Sequence, residues 1–431
     1  MSDIRFEGWL HRSGTGGVYQ DSAGNVGIAS TQPKTRLDIQ NGAFQIGPAG
    51  ICTATTVNTT NLINATPLSH RNLIINGAMN VAQRGTTSTS TGIKTVDRFG
   101  MTASGTDETP TQSTFDVSAP SSPYHLPTSG AHPYKEGFRK AYGLTNGNQT
   151  GGAGTTDRVN IYYNVEAQDL ANSGWDYTDP NSYITLSYWI KSSVAQNFYH
   201  RMYSYDGTAQ GYCWETGTLT AFTWTKITKK IPGNANLTFD NNNDAGLYIV
   251  FAAYSGTNYT NDKSLDSWAA FASDNRFPTF PTTWYTTNDA SVQITGVQLE
   301  LGSVATPFEH RSYGDELARC GRYYQKLVDA NTKALGIGMA YNGSTFQIVM
   351  EYPLGAMRTA PSIDAVTGAD YWRVEGGGVT VNVDGSWVAE HSTTTQMSLY
   401  GVPDATLSTL GLSHYCRSNN SAAKFAFSAE I

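Results

Sequence analysis

One apolar segment of this chain changes phase along its length, and that change is what most restricts the possible fold. Val292 and Ile294 are apolar at even positions. After Gly296 the apolar residues are Val297, Leu299 and Leu301, at odd positions. Side chains alternate between the faces of a strand, so a one-residue slip carries the whole apolar set to the other face. A β-bulge at Thr295–Gly296 absorbs the extra residue, and glycine is the usual residue there. Residues 291–301 are therefore expected to form one long bulged strand that closes a domain, with Pro307 stopping it.

Other segments repeat the strand period. Ile184, Leu186, Tyr188 and Ile190 share one face, and Leu247–Ala253 is apolar on both, as in a central strand covered by a second sheet. Charged residues are only 15% of the chain, against roughly 25% in an average globular protein. With 43 glycines and 12% aromatic residues, the composition suits short strands and tight turns. Asp206-Gly207 predicts a type I′ hairpin. Asn342-Gly343 predicts another between Ile337–Tyr341 and Phe346–Met350, and Asp384-Gly385 a third between Val379–Val383 and Trp387. The clearest helix follows Ser312, an N-cap with Asp315 three residues on. Leu317, Cys320, Tyr324 and Leu327 recur at helical spacing, and Gly321 lies on their stripe where a neighbour can approach closely.

The expected chain is thus mainly β. It divides into a Gly-rich strand segment at 1–52, a Thr/Asn-rich linker at 53–70, a β-sandwich at 71–311, a connecting helix at 312–328 and a smaller β-sandwich tip at 329–431. No internal repeat of 20–50 residues is present, which excludes propellers and helical solenoids.

A net charge of −7 and the lack of dense basic clusters argue against nucleic acid. Lys226/Lys229/Lys230 and Arg139/Lys140 read as strand-edge and turn charges. Cys52, Cys213, Cys320 and Cys416 form no C-x-x-C pair and are expected as free thiols in a reducing cytoplasm. The N-terminal stretch lacks a basic region followed by an apolar one, so no secretory signal is expected. No run approaches the ~18 apolar residues of a membrane helix. Asp240–Gly246 resembles the start of a calcium loop but has Ala245 and Phe251 where glycine and a bidentate glutamate are needed; it reads as an Asx-rich turn. Gly14, Gly16 and Gly17 make no phosphate loop, and the histidines show no metal-binding spacing. A glycosidase needs two placed carboxylates, and nothing local singles out a pair among 35 acidic residues. No catalytic residue, metal or cofactor is expected, and the chain reads as a non-enzyme. Aromatic rings in turn-rich contexts are the natural sugar-binding candidates: Trp175, Trp268, Trp284 and Tyr285. The alternative for each is a core plug or a subunit contact.

Several blocks resemble bacteriophage tail-fibre and related virion adhesin proteins, especially of phages infecting marine bacteria and cyanobacteria. Arg71–Gly77, Val81–Gly85 and Asp97-Arg98-Phe99 look like the opening of their galactose-binding-like jelly-roll domain. Ile294–Gly302, Ala305–Glu309 and Glu316–Tyr324 look like its end and exit helix. Asn25–Ile28 with Pro33 and Arg36–Ile39 is similar to a fibre-shaft segment. Tyr352–Leu354, Met357–Pro361 and the closing Phe427–Ile431 are similar to the tip. The resemblance implies a virion structural protein made in the host bacterial cytoplasm. It implies a homotrimer, joined to other virion proteins through its N-terminal region and contacting host surface glycans. A non-adhesive connector, baseplate, head-fibre or decoration protein is the alternative, and a polysaccharide depolymerase a remote one. Neither nucleic acid nor membrane insertion is implied. Gly296, Pro307, Arg319, Arg322 and Tyr324 are expected to be architectural, the last three fixing a domain joint or a trimer axis.

Overall fold

Alternating strands of this length bury one face only when a second layer covers it. The computed structural model describes residues 8–10, 17–28, 37–39, 44–46, 52–54, 71–119, 132–261, 263–407 and 412–431, with the backbone alone for the strands at 8–10, 37–39, 44–46 and 52–54. Contacts divide the chain into two compact units, Met1–Leu68 and Ser69–Ile431.

The first unit is a six-stranded sheet whose strands follow chain order. Neighbours are antiparallel except Val26–Ile28 and Leu37–Ile39, which run parallel. The Asp21 carboxylate accepts from the backbone N–H groups of Ala23 and Asn25, and Gly24 turns at φ +83°. The expected linker lies outside the described residues apart from 53 and 54, as do Gly14, Gly16 and the Cys52 side chain.

In the second unit, two antiparallel six-stranded sheets face each other. One runs Thr225–Pro232, Tyr183–Ser192, Ser291–Leu301, Lys140–Thr145, Thr111–Asp116, Thr87–Ser88. The other runs Trp268–Ala270, Gln210–Thr218, Asn197–Ser204, Ala245–Ser255, Arg158–Glu166, Gly100–Ser104. Count eight strands in chain order from Lys140–Thr145 to Ser291–Leu301, omitting the edge strand Trp268–Ala270. They stand first-eighth-third-sixth across one sheet and second-seventh-fourth-fifth across the other. That is the strand order of a jelly roll.

The closing strand spans Ser291–Leu301 as expected. Its register to Tyr183–Ser192 steps from Ser187 opposite Gln298 to Trp189 opposite Thr295, so two residues face one, and Gly296 sits at φ +63°. Pro307 does not stop this strand. The strand ends at Leu301, where Gly302 turns at φ +109° and donates its N–H to Tyr183 O at 2.8 Å. Pro307 instead offers its carbonyl to Arg71 Nη2 at 2.9 Å.

Ala245–Ser255 is buried on both faces, but by different means. Phe251 points inward and meets Tyr188 of the facing sheet at 4.9 Å. The outward face is roofed by residues from 256–290, where Phe271 stacks on Tyr203 of the neighbouring strand at 4.8 Å; Tyr254, opposite Val159 beyond a bulge, stacks on Tyr285 at 4.3 Å.

The expected helix at 312–328 is shorter. Ser312 caps it as foreseen, accepting from Asp315 N–H, but it spans only Tyr313–Gly321. Tyr324–Val328 is a strand paired with Lys424–Ser428. Gln325 closes the helix end, donating from Nε2 to Gly321 O at 2.9 Å. The helical spacing of Tyr324 and Leu327 is thus overridden by β pairing with a segment a hundred residues away. Gly321 does admit a close neighbour, since a Cβ there would lie 2.7 Å from Leu354 Cβ.

The tip has its own core, in which Trp372, Trp387 and Phe425 meet edge to face. A three-stranded sheet (Tyr324–Val328, Lys424–Ser428, Ser362–Val366) accompanies a seven-stranded one. The latter runs Val379–Val383, Trp372–Gly376, Ser413–Ser418, Ala334–Asn342, Thr345–Glu351, Gln396–Gly401, Val388–Ser392. The hairpin at Asn342-Gly343 forms. Asp384-Gly385 makes none, because Val379–Val383 and Val388–Ser392 lie at opposite edges of that sheet. Asp206-Gly207 does join paired strands, but through a longer loop in which only Gly207 is left-handed, so the turn is not type I′.

Candidate functional site

Three of the four predicted sugar-binding aromatics are core residues. Trp175 is 4% exposed and packs against Tyr177 and Phe239. Trp284 and Tyr285 sit in the helical turn Thr283–Thr286, at 0% and 1% exposed. The neighbouring threonines of that turn face solvent while the two rings plug the roof over the second sheet. The Tyr285 hydroxyl donates to Asp157 Oδ2 at 2.9 Å. None of these three rings offers a face to a ligand.

Trp268 is different. It opens the edge strand Trp268–Ala270, pairs with Tyr212 and stays partly exposed. Its Nε1–H donates to Pro232 O at 2.7 Å, and Tyr212 packs beside it at 5.3 Å, so the ring is held in one orientation. It lines an open cleft of about 440 Å³ with Thr208, Gln210, Asn234, Asn236, Thr238, Ala269 and Ala270.

Local chemistry explains each wall. Gly207 at φ +61° turns the loop so closely that a Cβ there would lie 3.1 Å from Thr238 Oγ1. Gln210 is buried; its N–H donates to Ser204 Oγ and its carboxamide to Thr208 O at 2.9 Å. Asn234 Oδ1 accepts from Asn236 N–H at 2.9 Å, which fixes the opposite turn. The lining is one indole, three carboxamides and two hydroxyls, with no ionisable group. Such a surface can hydrogen-bond and stack on a neutral polar ligand, but it supplies no acid or base. Of the four predicted aromatics Trp268 alone lines this cleft, and sequence reasoning did not single out its companions. Their only trace is the uncharged run Asn234–Thr238 after a strand, which any ordinary turn also shows.

Of the residues expected to be architectural, Arg322 and Tyr324 lie at a joint between jelly roll and tip. Glu166, at the end of a jelly-roll strand, takes Arg322 Nε and Nη2 at 2.8 Å each and the Tyr323 hydroxyl at 2.5 Å. Burial pushes the Glu166 carboxyl up, but Arg322, Tyr323 and Gln168 outweigh it and hold it below its ordinary value. Arg84 lies 3.5 Å over the Tyr324 ring and Arg98 3.5 Å over the Tyr323 ring, and both grip Glu430 of the C-terminal tail, at 2.9 and 2.6 Å. Arg319 pairs with Asp315 one helical turn earlier at 3.5 Å. Several of the blocks that carry the family resemblance therefore converge on one seam between jelly roll and tip.

Among the described residues one acidic trio, Asp370, Asp384 and Asp404, has its oxygens within 4.8 Å. These carboxylates tie backbone: Asp384 Oδ1 accepts from Asp370 N–H, and Asp404 Oδ1 from Asn382 N–H. The Asp240–Gly246 segment is an Asx turn, whose Asn242 and Asp244 carbonyls receive the first N–H groups of the helix Ala167–Ala171. Cys213, Cys320 and Cys416 are free and buried, and burial raises all three thiols.

No protein-family model and no curated sequence matches the chain. Solved structures with partial likeness include the enzymatically active domain of tailspike protein 4 of bacteriophage CBA120, 10% identical over 54% of this chain, at a TM-score of 0.26. The match covers 21% of the tailspike domain, so the chain spans about a fifth of that length. The family 11 carbohydrate-binding module of a Clostridium thermocellum cellulosomal cellulase is 12% identical over 52% of this chain and 99% of the module, at a TM-score of 0.23. The CBM22-1 xylan-binding domain from Paenibacillus barcinonensis is 9% identical over 48% of this chain and 87% of its own, at 0.21. The jelly-roll assignment rests on the strand order and is independent of these likenesses.

Proposed function

We propose that this chain is a non-catalytic component of a phage particle, a tail fibre that holds a neutral host-surface glycan in the Trp268 cleft. The observation that carries the reading is the cleft itself: an oriented, part-exposed indole among carboxamides and hydroxyls. Sugars present C–H faces that stack on such rings and hydroxyls that bind such amides. The sequence blocks that resemble phage fibre proteins supply the virion part of the reading. A glycan array probed with the full chain tests it. Binding to one class of neutral glycan that is lost in Trp268→Ala and weakened in Asn236→Ala is expected, with no release of reducing ends. Binding unchanged in both variants sinks the cleft, and turnover of the bound glycan sinks the non-catalytic part.

A homotrimer belongs to the same proposal. On the tip, Ile337, Met339, Tyr341 and Val349 are 68%, 51%, 67% and 65% exposed on two adjacent strands. Contiguous exposed apolar rows of this kind mark contact surfaces, and copies of the same chain would cover them. Particle attachment through Met1–Leu68 completes the reading.

A further inference from the structure

Under the roof formed by 256–290, the outer face of the second sheet carries Arg201, which is 7% exposed. Its Nε and Nη1 are buried without a hydrogen-bond partner. Lys263, 8% exposed, closes over it from the roof, with Nζ 3.9 Å from where a Cβ on Gly211 would stand. Arg276 follows from the same segment; its Nε donates to Ser273 O at 2.7 Å and its guanidinium lies 4.7 Å from the Tyr259 ring centroid. Asn275 adds a carboxamide whose Oδ1 is also buried and unpartnered. These four side chains line a small cavity beside Phe271, with room of about 10 Å³ for water-sized centres. That is about the space of a single water or a monatomic ion.

Among the described residues no carboxylate pairs with any of the three cations. Asp266, on the same segment, is taken by Lys229 at 3.3 Å. Among the described residues the compensation for Arg201 is aromatic: it lies 4.7 Å from the Tyr203 ring centroid, 5.3 Å from that of Phe271 and 5.5 Å from that of Phe277. The crowding also acts on the cations themselves. Burial brings Arg201 down to about 10, with Tyr203 opposing and Arg276 adding to the fall. Burial lowers Lys263 as well, and Arg201 adds to that. Buried cations without a counter-charge are expensive, and buried donors without an acceptor equally so.

We propose that this cavity is a binding site for one free halide-sized anion, chloride in practice, held between Arg201, Lys263 and Arg276. The anion accepts from the orphaned guanidinium donors and cancels the mutual repulsion. It thereby pins the roof segment from which the edge strand Trp268–Ala270 emerges. The site is separate from the glycan cleft and stands or falls without it.

Thermal unfolding of the full chain at constant ionic strength tests this, with sodium chloride or bromide replacing sodium gluconate. A saturable rise in melting temperature of about 2–4 °C is expected for the natural chain. Arg201→Met and Lys263→Met are expected to lose it, while Lys140→Met, at a surface lysine of the other sheet, keeps it. Crystals grown in bromide should show an anomalous peak between Arg201 and Lys263. This second measurement uses the unaltered chain and is unaffected by any folding defect of the variants. An anion-independent melting temperature together with an empty cavity in bromide overturns the proposal. So does stabilisation by sulfate or a uronic acid but not by halide, because the cavity excludes both.

Discussion

Tyr188 shows how a single buried hydroxyl orders the jelly-roll core. Trp214 Nε1–H donates to it at 3.0 Å, and it shares a hydrogen bond of 2.6 Å with His200 Nδ1. Burial drives His200 down to about 3, which keeps the ring neutral. Tyr188→Phe leaves the indole N–H and the imidazole nitrogen buried and unpaired, at a cost of about 2–4 kcal/mol. Urea unfolding checks that value. Asp97 gives a second residue-scale expectation. Burial lifts its carboxyl to about 6, against the Arg84 charge and the Gln83 hydrogen bonds. A raised carboxylate pKa means that the folded chain binds the extra proton. Asp97 therefore favours the folded state most below about pH 4, and that contribution is lost as pH rises through 6. Its carboxyl carbon should titrate near 6 by NMR; a midpoint near 4 contradicts the placement. Gly296 is the third. At φ +63°, with Phe138 Cζ 2.6 Å from any added Cβ, Gly296→Ala should destabilise by about 2–3 kcal/mol in the same assay.

At the scale of elements, what was legible in the sequence depended on how local the cause was. The bulge was readable because both its causes, the phase change and the glycine, lie within eleven residues. The helix start was readable for the same reason, since Ser312 and Asp315 cap it locally. Its end was not, because Lys424–Ser428 draws Tyr324–Val328 into a sheet from far along the chain. Asp384-Gly385 failed likewise: a turn pair marks a reversal, but the choice of partner strand is tertiary. The burial of Trp284 was not legible because an indole in a Thr-rich turn has the same local pattern whether it roofs a core or faces water. The joint carries its own prediction. Arg322→Ala strands Glu166, whose side chain is 0% exposed, and should cost about 2–4 kcal/mol. Because Glu166 is held below its ordinary value, this contribution is present above pH 4.5 and is lost as pH falls through the lowered value. Calorimetry should show a single transition for Ser69–Ile431 near neutral pH and two separated ones for Arg322→Ala.

For the whole molecule, the most recognisable sequence blocks turn out to build a seam, while the candidate binding surface draws on residues that no motif marks. Arg84, Arg98, Tyr323, Tyr324 and Glu430 lock jelly roll to tip. The cleft lies elsewhere on the jelly roll, at the end of an edge strand where a sheet is open. The trimer expected from the exposed tip rows should appear in mass photometry at micromolar concentration, and a monodisperse monomer would count against it. The central claim is glycan capture at Trp268. It is tested most directly by calorimetric titration of the array-selected oligosaccharide into the natural chain and into Trp268→Ala, with both shown to be equally folded. Saturable heat for the natural chain and at least a tenfold weaker association for the variant is the predicted result. Equal affinity in the two chains would contradict the account.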